Sequence, residues 1–234
     1  MAATIHAGTS GFSYPEWKGA FYPEDLPQSR FLEYYAERFS TVEINNTFYR
    51  FPRSSMLEGW RDGTPDGFTF AVKAVQGITH RGRLKDVEEL TRDFVERCQL
   101  LGEKLGPILF QLPPNFKRDD ERLTDFLYSL DPRLRYAFEF RHESWFADDV
   151  LQALGDCGVA LCVSEGEKLD TPRLATGRFV YARLRKEEYT DEELADWHDW
   201  MAAQVKAGVD VFAYLKHDEA GDSPEYALRL LAGD

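Results

Sequence analysis

Short runs of alternating apolar and polar residues recur along the chain, separated by longer runs whose apolar residues return every three or four positions. The first kind reads as strands at residues 4–9, 41–45, 68–74, 108–112, 136–141, 160–164, 179–185 and 211–216. The second reads as helices at 29–39, 87–105, 120–130, 148–157, 191–207 and 224–231, the last with Ser223 as N-cap and Pro224 at the first helical position. The gap after the second strand holds only a short helical piece, 56–61, and the gap 166–177 reads as irregular. Such alternation implies parallel strands with helices outside them, in an open sheet or a closed barrel.

Side-chain parity chooses between the two, because a strand sends alternate residues to opposite faces. Val42 and Ile44 oppose Thr41, Glu43 and Asn45; Phe68, Phe70 and Val72 oppose Thr69, Ala71 and Lys73; Phe138 and Phe140 oppose Ala137, Glu139 and Arg141. Leu161 and Val163 oppose Cys162 and Ser164, and Val180, Ala182 and Leu184 oppose Tyr181, Arg183 and Arg185. A sheet covered by helices on both faces would be apolar on both parities. Here one parity is apolar and the other turns polar toward the strand end. That pattern fits a lumen packed at its bottom and polar at its C-terminal mouth, where barrel enzymes work. The expected fold is therefore α/β, a single (β/α)8 TIM-type barrel over residues 1–234 with some outer helices short or irregular.

Composition narrows the class further. The chain is 43 % hydrophobic and 14 % aromatic, enough for a large core. Cys98, Cys157 and Cys162 are odd in number and lack CxxC spacing, which fits buried thiols better than a disulfide framework. No run approaches the roughly 18 apolar residues of a membrane helix, and strand-like sequence begins by Thr4 with no secretory signal before it. A cytoplasmic protein with no membrane partner is expected. The formal charge of −13 opposes sequence-blind attachment to nucleic acid or anionic lipid.

By parity the mouth gathers His6, Ser10, Glu43, Asn45, Lys73, Gln111, Glu139, Arg141, Ser164, Arg183, Arg185, Tyr214 and Lys216. Charges in a low-dielectric lumen persist only when paired, hydrated or bound to a ligand. One reading is structural: Glu139 paired with Arg141 or Arg183, and Glu43 with Lys73. The other rests on the balance, since the five basic groups outnumber Glu43 and Glu139 in a strongly acidic protein. That excess points to a bound anion, and Arg183 with Arg185 suits phosphate because guanidinium forks bind oxyanions through paired hydrogen bonds. Backbone donors at the helix after Ser223 would add to such a site, although Asp218, Glu219, Asp222 and Glu225 crowd it.

Glu43 and Glu139 are the acid/base candidates, and Lys73 is a candidate base or Schiff-base amine. Ser10, Asn45, Gln111, Arg141, His142, Arg183, Arg185 and Lys216 are the candidate substrate-binding residues. No cofactor is required by this chemistry; a divalent metal would have to use His6, Glu43 and Glu139, the one inward set of ligands. Gly8-Thr9-Ser10-Gly11 is either a phosphate cradle or the glycine-bearing exit of a strand. Tyr14, Trp17, Phe21, Tyr22, Phe48, Tyr49, Trp60 and Trp145 either stack a sugar or base or pack the loops on the rim. The absence of GxSxG argues against a serine hydrolase of the nucleophile-elbow type.

These segments resemble the YecE-like family, domain of unknown function 72. The resemblance is carried by Gly8-Thr9-Ser10-Gly11-Phe12-Ser13-Tyr14 with Trp17 and Phe21-Tyr22-Pro23, and by Val42-Glu43-Ile44-Asn45-Asn46-Thr47-Phe48-Tyr49-Arg50. It continues through Phe70-Ala71-Val72-Lys73, Ile78-Thr79-His80, Leu105-Gly106-Pro107, Phe110 to Phe116, and Glu139-Phe140-Arg141-His142 with Ser144-Trp145. It implies a β/α barrel and a candidate site, and no reaction. Where the family tends to Arg-Leu-His-Gly and Phe-Asn-Asn-Asp, this chain has Arg183-Leu184-Arg185-Lys186 and Leu215-Lys216-His217-Asp218. Both changes add basic charge at the mouth.

Three functions follow as expectations. The first is an enzyme, a hydrolase, lyase or isomerase of phosphate-bearing sugars or nucleotides, in which Glu43 or Glu139 moves protons while Lys73, Arg141 and Arg183 hold charge. The second is a module for single-stranded or damaged nucleic acid, with aromatics stacking bases. The third is a partner-binding scaffold whose lumen charges are structural.

Overall fold

The structure is a computed structural model describing residues 2–165, 169 and 171–233. Its eight strands are β1 (Ile5–Thr9), β2 (Thr41–Ile44), β3 (Thr69–Lys73), β4 (Leu105–Gln111), β5 (Tyr136–Glu139), β6 (Ala160–Ser164), β7 (Phe179–Leu184) and β8 (Asp210–Leu215). Parallel ladders run in order from β2 to β8, and β8 returns to pair with β1. The ring is a (β/α)8 TIM-type barrel, nearly closed, with one parallel bridge between Ser10 and Glu43 joining β1 to β2.

The seam at that bridge has its own chemistry. Tyr35 projects its hydroxyl between the two strands, accepting from the Thr9 amide at 2.8 Å and donating to the Thr41 carbonyl at 3.2 Å. A side chain in place of one ladder bond lets the barrel close without a full β1–β2 ladder. Gly8 makes the approach possible, since a Cβ there would sit 2.4 Å from the Thr41 carbonyl oxygen.

Outside the strands lie α1 (Phe31–Ala36), α2 (Ser54–Asp62), α3 (Glu88–Cys98), α4 (Asp120–Ser129), α5 (Asp148–Asp156), α6 (Asp191–Lys206) and α7 (Asp222–Ala232). The helix expected over 87–105 stops at Cys98 and passes into a 3-10 segment, Gln99–Lys104, where Gly102 turns the chain at φ 61°. β4 therefore starts at Leu105, earlier than expected. Between β6 and β7, residues 171–177 carry neither helix nor strand; 166–168 and 170 of the stretch expected to be irregular lie outside the described residues. α6 begins with a reciprocal capping box between Thr190 and Glu193. Ser223 is not the N-cap of α7: Gly221, at φ 85°, holds that position, and the Ser223 hydroxyl turns back to the Lys216 carbonyl.

Val42, Phe70, Val72, Phe138, Val180 and Leu184 face outward into the large core shared with the helices. The opposite parity forms a second, separate cluster inside the ring: Ala71, Leu109, Ala137, Ala160, Cys162, Phe179, Tyr181, Phe212 and Tyr214. The lumen floor is thus solid, as a barrel interior should be, and only its C-terminal end opens. The three cysteines are free thiols, two of them buried. Among the described residues no helix is long and apolar enough to cross a membrane.

Candidate functional site at the C-terminal mouth

Lumen residues divide by height. His6 faces inward as its parity requires, but at the N-terminal end, stacked 4.7 Å from the Phe212 ring with Nδ1 3.3 Å from Ser40 Oγ; burial lowers its pKa. Tyr214 lies in the packed layer above, its hydroxyl 2.7 Å from Thr41 Oγ1. Neither belongs to the mouth. The candidate metal set of His6, Glu43 and Glu139 is therefore split between opposite ends of the lumen. Among the described residues no group of three or more His, Cys, Asp or Glu converges.

The mouth is built around Arg183 from β7, 3 % exposed, set between two carboxylates that are equally buried. Its Nη1 donates to Glu139 Oε2 at 2.5 Å and its Nη2 to Glu43 Oε2 at 2.9 Å. Nε lies 2.9 Å from Glu43 Oε1 but off the line of a hydrogen bond. Glu43 also accepts from Ser10 Oγ (2.7 Å), Asn45 Nδ2 (2.7 Å) and Tyr181 OH (2.8 Å), and Arg185 Nη2 stands 3.5 Å from Oε2. Glu139 accepts from Gln111 Nε2 on both oxygens at 2.8 Å and from Arg141 Nε at 2.8 Å. Glu43 Oε2 and both oxygens of Glu139 each accept two or more hydrogen bonds, while Glu43 Oε1 accepts one, from Tyr181.

Electrostatics follow from this geometry. Burial pushes the Glu139 carboxyl up, but Arg183, Arg141 and the Gln111 amide outweigh it and hold it down at about 2. Burial likewise works against the Arg183 cation, and Glu43 with Glu139 reverses that effect and raises it above its ordinary value. Glu139 is thus fixed as an anion with its lone pairs engaged, a poor general acid or base near neutral pH. The structural reading of the sequence is realised here for Glu139 with both arginines. The expected Glu43–Lys73 pair is not; Glu43 takes Arg183 instead.

Lys73, at the end of β3, donates from Nζ to Gln111 Oε1 at 2.8 Å and lies 4.3 Å from the centroid of the Phe48 ring. Among the described residues it has no carboxylate partner within ion-pair distance. Burial lowers its pKa, the Arg183 charge adds to this, and the more distant Glu139 and Glu43 only partly oppose it, leaving it at about 8. Among the described residues four cations, Lys73, Arg141, Arg183 and Arg185, thus meet two carboxylates. Above them opens a cavity of about 810 Å³, lined also by Lys216, whose Nζ is 4.0 Å from Glu187. Glu165 reaches the same wall, but Tyr189, Lys186 and Arg173 hold its carboxylate.

Ser10, Asn45, Lys73, Gln111, Glu139, Arg141, Arg183, Arg185 and Lys216 all line this cavity, with Glu43 directly beneath. His142 does not join them: its Nδ1 accepts from the Ser144 amide at 3.2 Å and caps the 3-10 turn Glu143–Trp145. The two backbone cradles also fail. The amides of Thr9, Ser10 and Gly11 bond Tyr35, Leu215 and Thr9, while Asp218 accepts the amides of Gly221, Asp222 and Ser223. Of the aromatics, Trp17, Tyr22 and Trp145 are buried packing, whereas Tyr14, Phe48 and Tyr49 line the cavity. Tyr181 was missed as a contact of the site, although it shares Arg183's parity; Thr171 was missed because it lies in the irregular stretch between β6 and β7, and His217, named only as a departure from the family pattern, lies one residue past Lys216 on the other parity.

Fold and mouth together define a TIM-type β/α barrel with a basic C-terminal cavity. A family model described as "Protein of unknown function DUF72" matches residues 6–233, and the chain belongs to that family. The UPF0759 protein YecE of Escherichia coli strain K12 is 33 % identical over 144 residues, 61 % of this chain and 50 % of that one, so the match spans about half the relative's length. The UPF0759 protein YunF of Bacillus subtilis strain 168 is 23 % identical across 97 % of this chain and 93 % of its own. A crystal structure of a DUF72 family protein from Thermotoga maritima superposes with a TM-score of 0.85 at 28 % identity, covering 97 % of both chains.

Proposed function

We propose that the mouth binds an anionic, phosphate-bearing small molecule, a sugar phosphate or nucleotide, and that the protein is an enzyme acting on it by proton transfer. The observation that carries this reading is the charge balance among the described residues: four cations on two carboxylates, with Lys73 bonded there only to a neutral amide. A buried cation without an anion costs several kcal/mol of desolvation, which a ligand phosphate or carboxylate would offset. Lys73 takes the acid/base role in place of Glu139, because its lowered pKa lies nearest neutrality. Glu43 and Glu139 act as anions that hold Arg183, Asn45, Gln111 and Arg141 in place.

A second reading, single-stranded or damaged nucleic acid, is favoured by one feature. Tyr49 is 74 % exposed at the rim beside Phe48, a ready surface for a base or sugar ring. The charge of −13 opposes it.

The test is a thermal-shift titration with inorganic phosphate, sugar phosphates, nucleotides and short oligonucleotides. A ligand at 100 times its Kd should stabilise by about 2.7 kcal/mol. Arg141→Ala and Lys216→Ala should each weaken binding by about tenfold or more. Stabilisation that survives both substitutions places the anion elsewhere; no stabilisation by any compound favours the scaffold.

A further inference from the structure

At the base of the cavity the described carboxylates are engaged by donors, and the Lys73 amine stands apart from them. The oxygens of Glu43 accept from Ser10, Asn45, Tyr181 and Arg183, and those of Glu139 from Gln111, Arg141 and Arg183. Gln111 Oε1 accepts from Lys73. Among the described residues the Lys73 amine makes that one donated bond, and it rests against the face of Phe48. When it loses a proton, it becomes a nucleophile at the base of a cation-lined cavity.

We propose that Lys73 is a carbonyl-reactive amine and that the ligand of the mouth is an aldehyde or ketone carrying a phosphate, held as an imine on Lys73 Nζ. This deepens the anion reading above and rests on it. The amine lone pair adds to the carbonyl carbon, and the C–O π pair takes the proton released from nitrogen, giving a carbinolamine. The hydroxyl then leaves as water with the second N–H proton, and C=N forms. Amine and carbonyl give imine and water, so no oxidant or reductant is needed.

The surroundings suit each part of this step. Arg141, Arg185 and Lys216 reach the cavity from β5's end, β7's end and β8's end, where they would hold a phosphate. Phe48 covers one side of the amine and keeps water from it; its ring face attracts the ammonium, which offsets part of the burial cost without cancelling it. The charged groups that act on Lys73 are Arg183 and Arg141, which favour the neutral amine, and Glu139 and Glu43, which favour the ammonium; burial and the arginines prevail. His80, on the π-helical turn Gly77–Arg81 after β3, faces the same corner, its ring 4.8 Å from Phe48; burial and the Lys73 charge lower its pKa and favour its uncharged form there.

Pyridoxal 5′-phosphate, an aldehyde bearing a phosphate, is the probe, with borohydride to fix the imine and peptide mapping to locate it. At neutral pH Lys73 should be labelled about tenfold faster than the exposed Lys85 and Lys117. Inorganic phosphate should slow the labelling of Lys73 alone, and pyridoxal without its phosphate should react more slowly there. Lys73→Arg keeps the charge without a reactive amine; it should fold, still be stabilised by phosphate, and give no adduct at that position. Phosphate stabilisation of the wild type without a Lys73 adduct overturns the imine and leaves the anion reading standing. An adduct indifferent to phosphate, or neither adduct nor stabilisation, overturns both.

Discussion

Replacing Arg183 by methionine would leave Glu43 and Glu139 buried without the cation they share, with Arg141 and Arg185 touching only their outer edges. Breaking such a pair from one side exposes the desolvation cost of the other, so Arg183→Met should lower the unfolding free energy in urea by about 3–5 kcal/mol at neutral pH. The pH dependence has a fixed sign. Glu139 is held at about 2 against an ordinary 4.5, so its stabilisation is complete above pH 4.5 and fades as pH falls toward 2. The gap between wild type and variant should close over that window; a gap constant to pH 2 would place the effect in packing. Lys73 runs the other way. Its pKa falls from 10.5 to about 8 on folding, so the unfolded chain binds more protons between those values and wild-type stability gains with rising pH there. Lys73→Met should remove that rise, up to about 3 kcal/mol, seen as a wild-type-minus-variant difference between pH 8 and 10.5. Equal slopes in the two proteins would mean that Lys73 is solvated as an ordinary lysine.

At the scale of elements, the β1–β2 seam is the joint on which the mouth depends, because Ser10 of the closing bridge is also a ligand of Glu43. Tyr35→Phe keeps the ring and removes the hydroxyl that serves the Thr9 amide and the Thr41 carbonyl. Leaving both buried groups unpaired should cost about 1–3 kcal/mol for each and raise hydrogen exchange at Thr9 before that of the β7–β8 ladder; exchange unchanged at Thr9 would show that the strands, not Tyr35, close the ring. The elements were largely legible because strand period and helix period differ sharply, and because the two lumen parities, Glu43 with Asn45 and Arg183 with Arg185, differ from their greasy neighbours. What parity could not supply was height. It repeats every two residues and is blind to the stagger between strands, so His6 looked equivalent to Lys73 although it lies at the other end of the lumen. It also ends where a strand ends: His142 lies beyond Glu139, and there a local cap, the Ser144 amide, decided where the ring points. The 87–105 helix was read too long for a related reason, since only the positive φ of Gly102 marks where it turns.

For the molecule as a whole, the question is how the proposed anion would reach a basic cavity in a protein of net charge −13. The Debye length at physiological salt is about 8 Å, so the acidic exterior acts on whatever lies along the rim while charges inside the cavity are screened less. A small phosphate ester that enters the cavity meets Lys73, Arg185 and Lys216, the three cations with the weakest carboxylate partners. A long strand would meet the same three and then run across acidic surface, gaining nothing for its further phosphates. With three phosphates neutralised, the affinity of a single strand should fall with salt at a log–log slope of about −2. An oligonucleotide and a nucleoside monophosphate should then bind within about threefold of each other at low salt. Isothermal titration of both ligands across a salt series measures this directly. A slope much steeper than −2, with the oligonucleotide far tighter, would require phosphate contacts outside the cavity and would make the rim with Tyr49 a nucleic-acid platform. Matched affinities and a shallow slope would confine recognition to the mouth, where the chemistry proposed for Lys73 would be available to it.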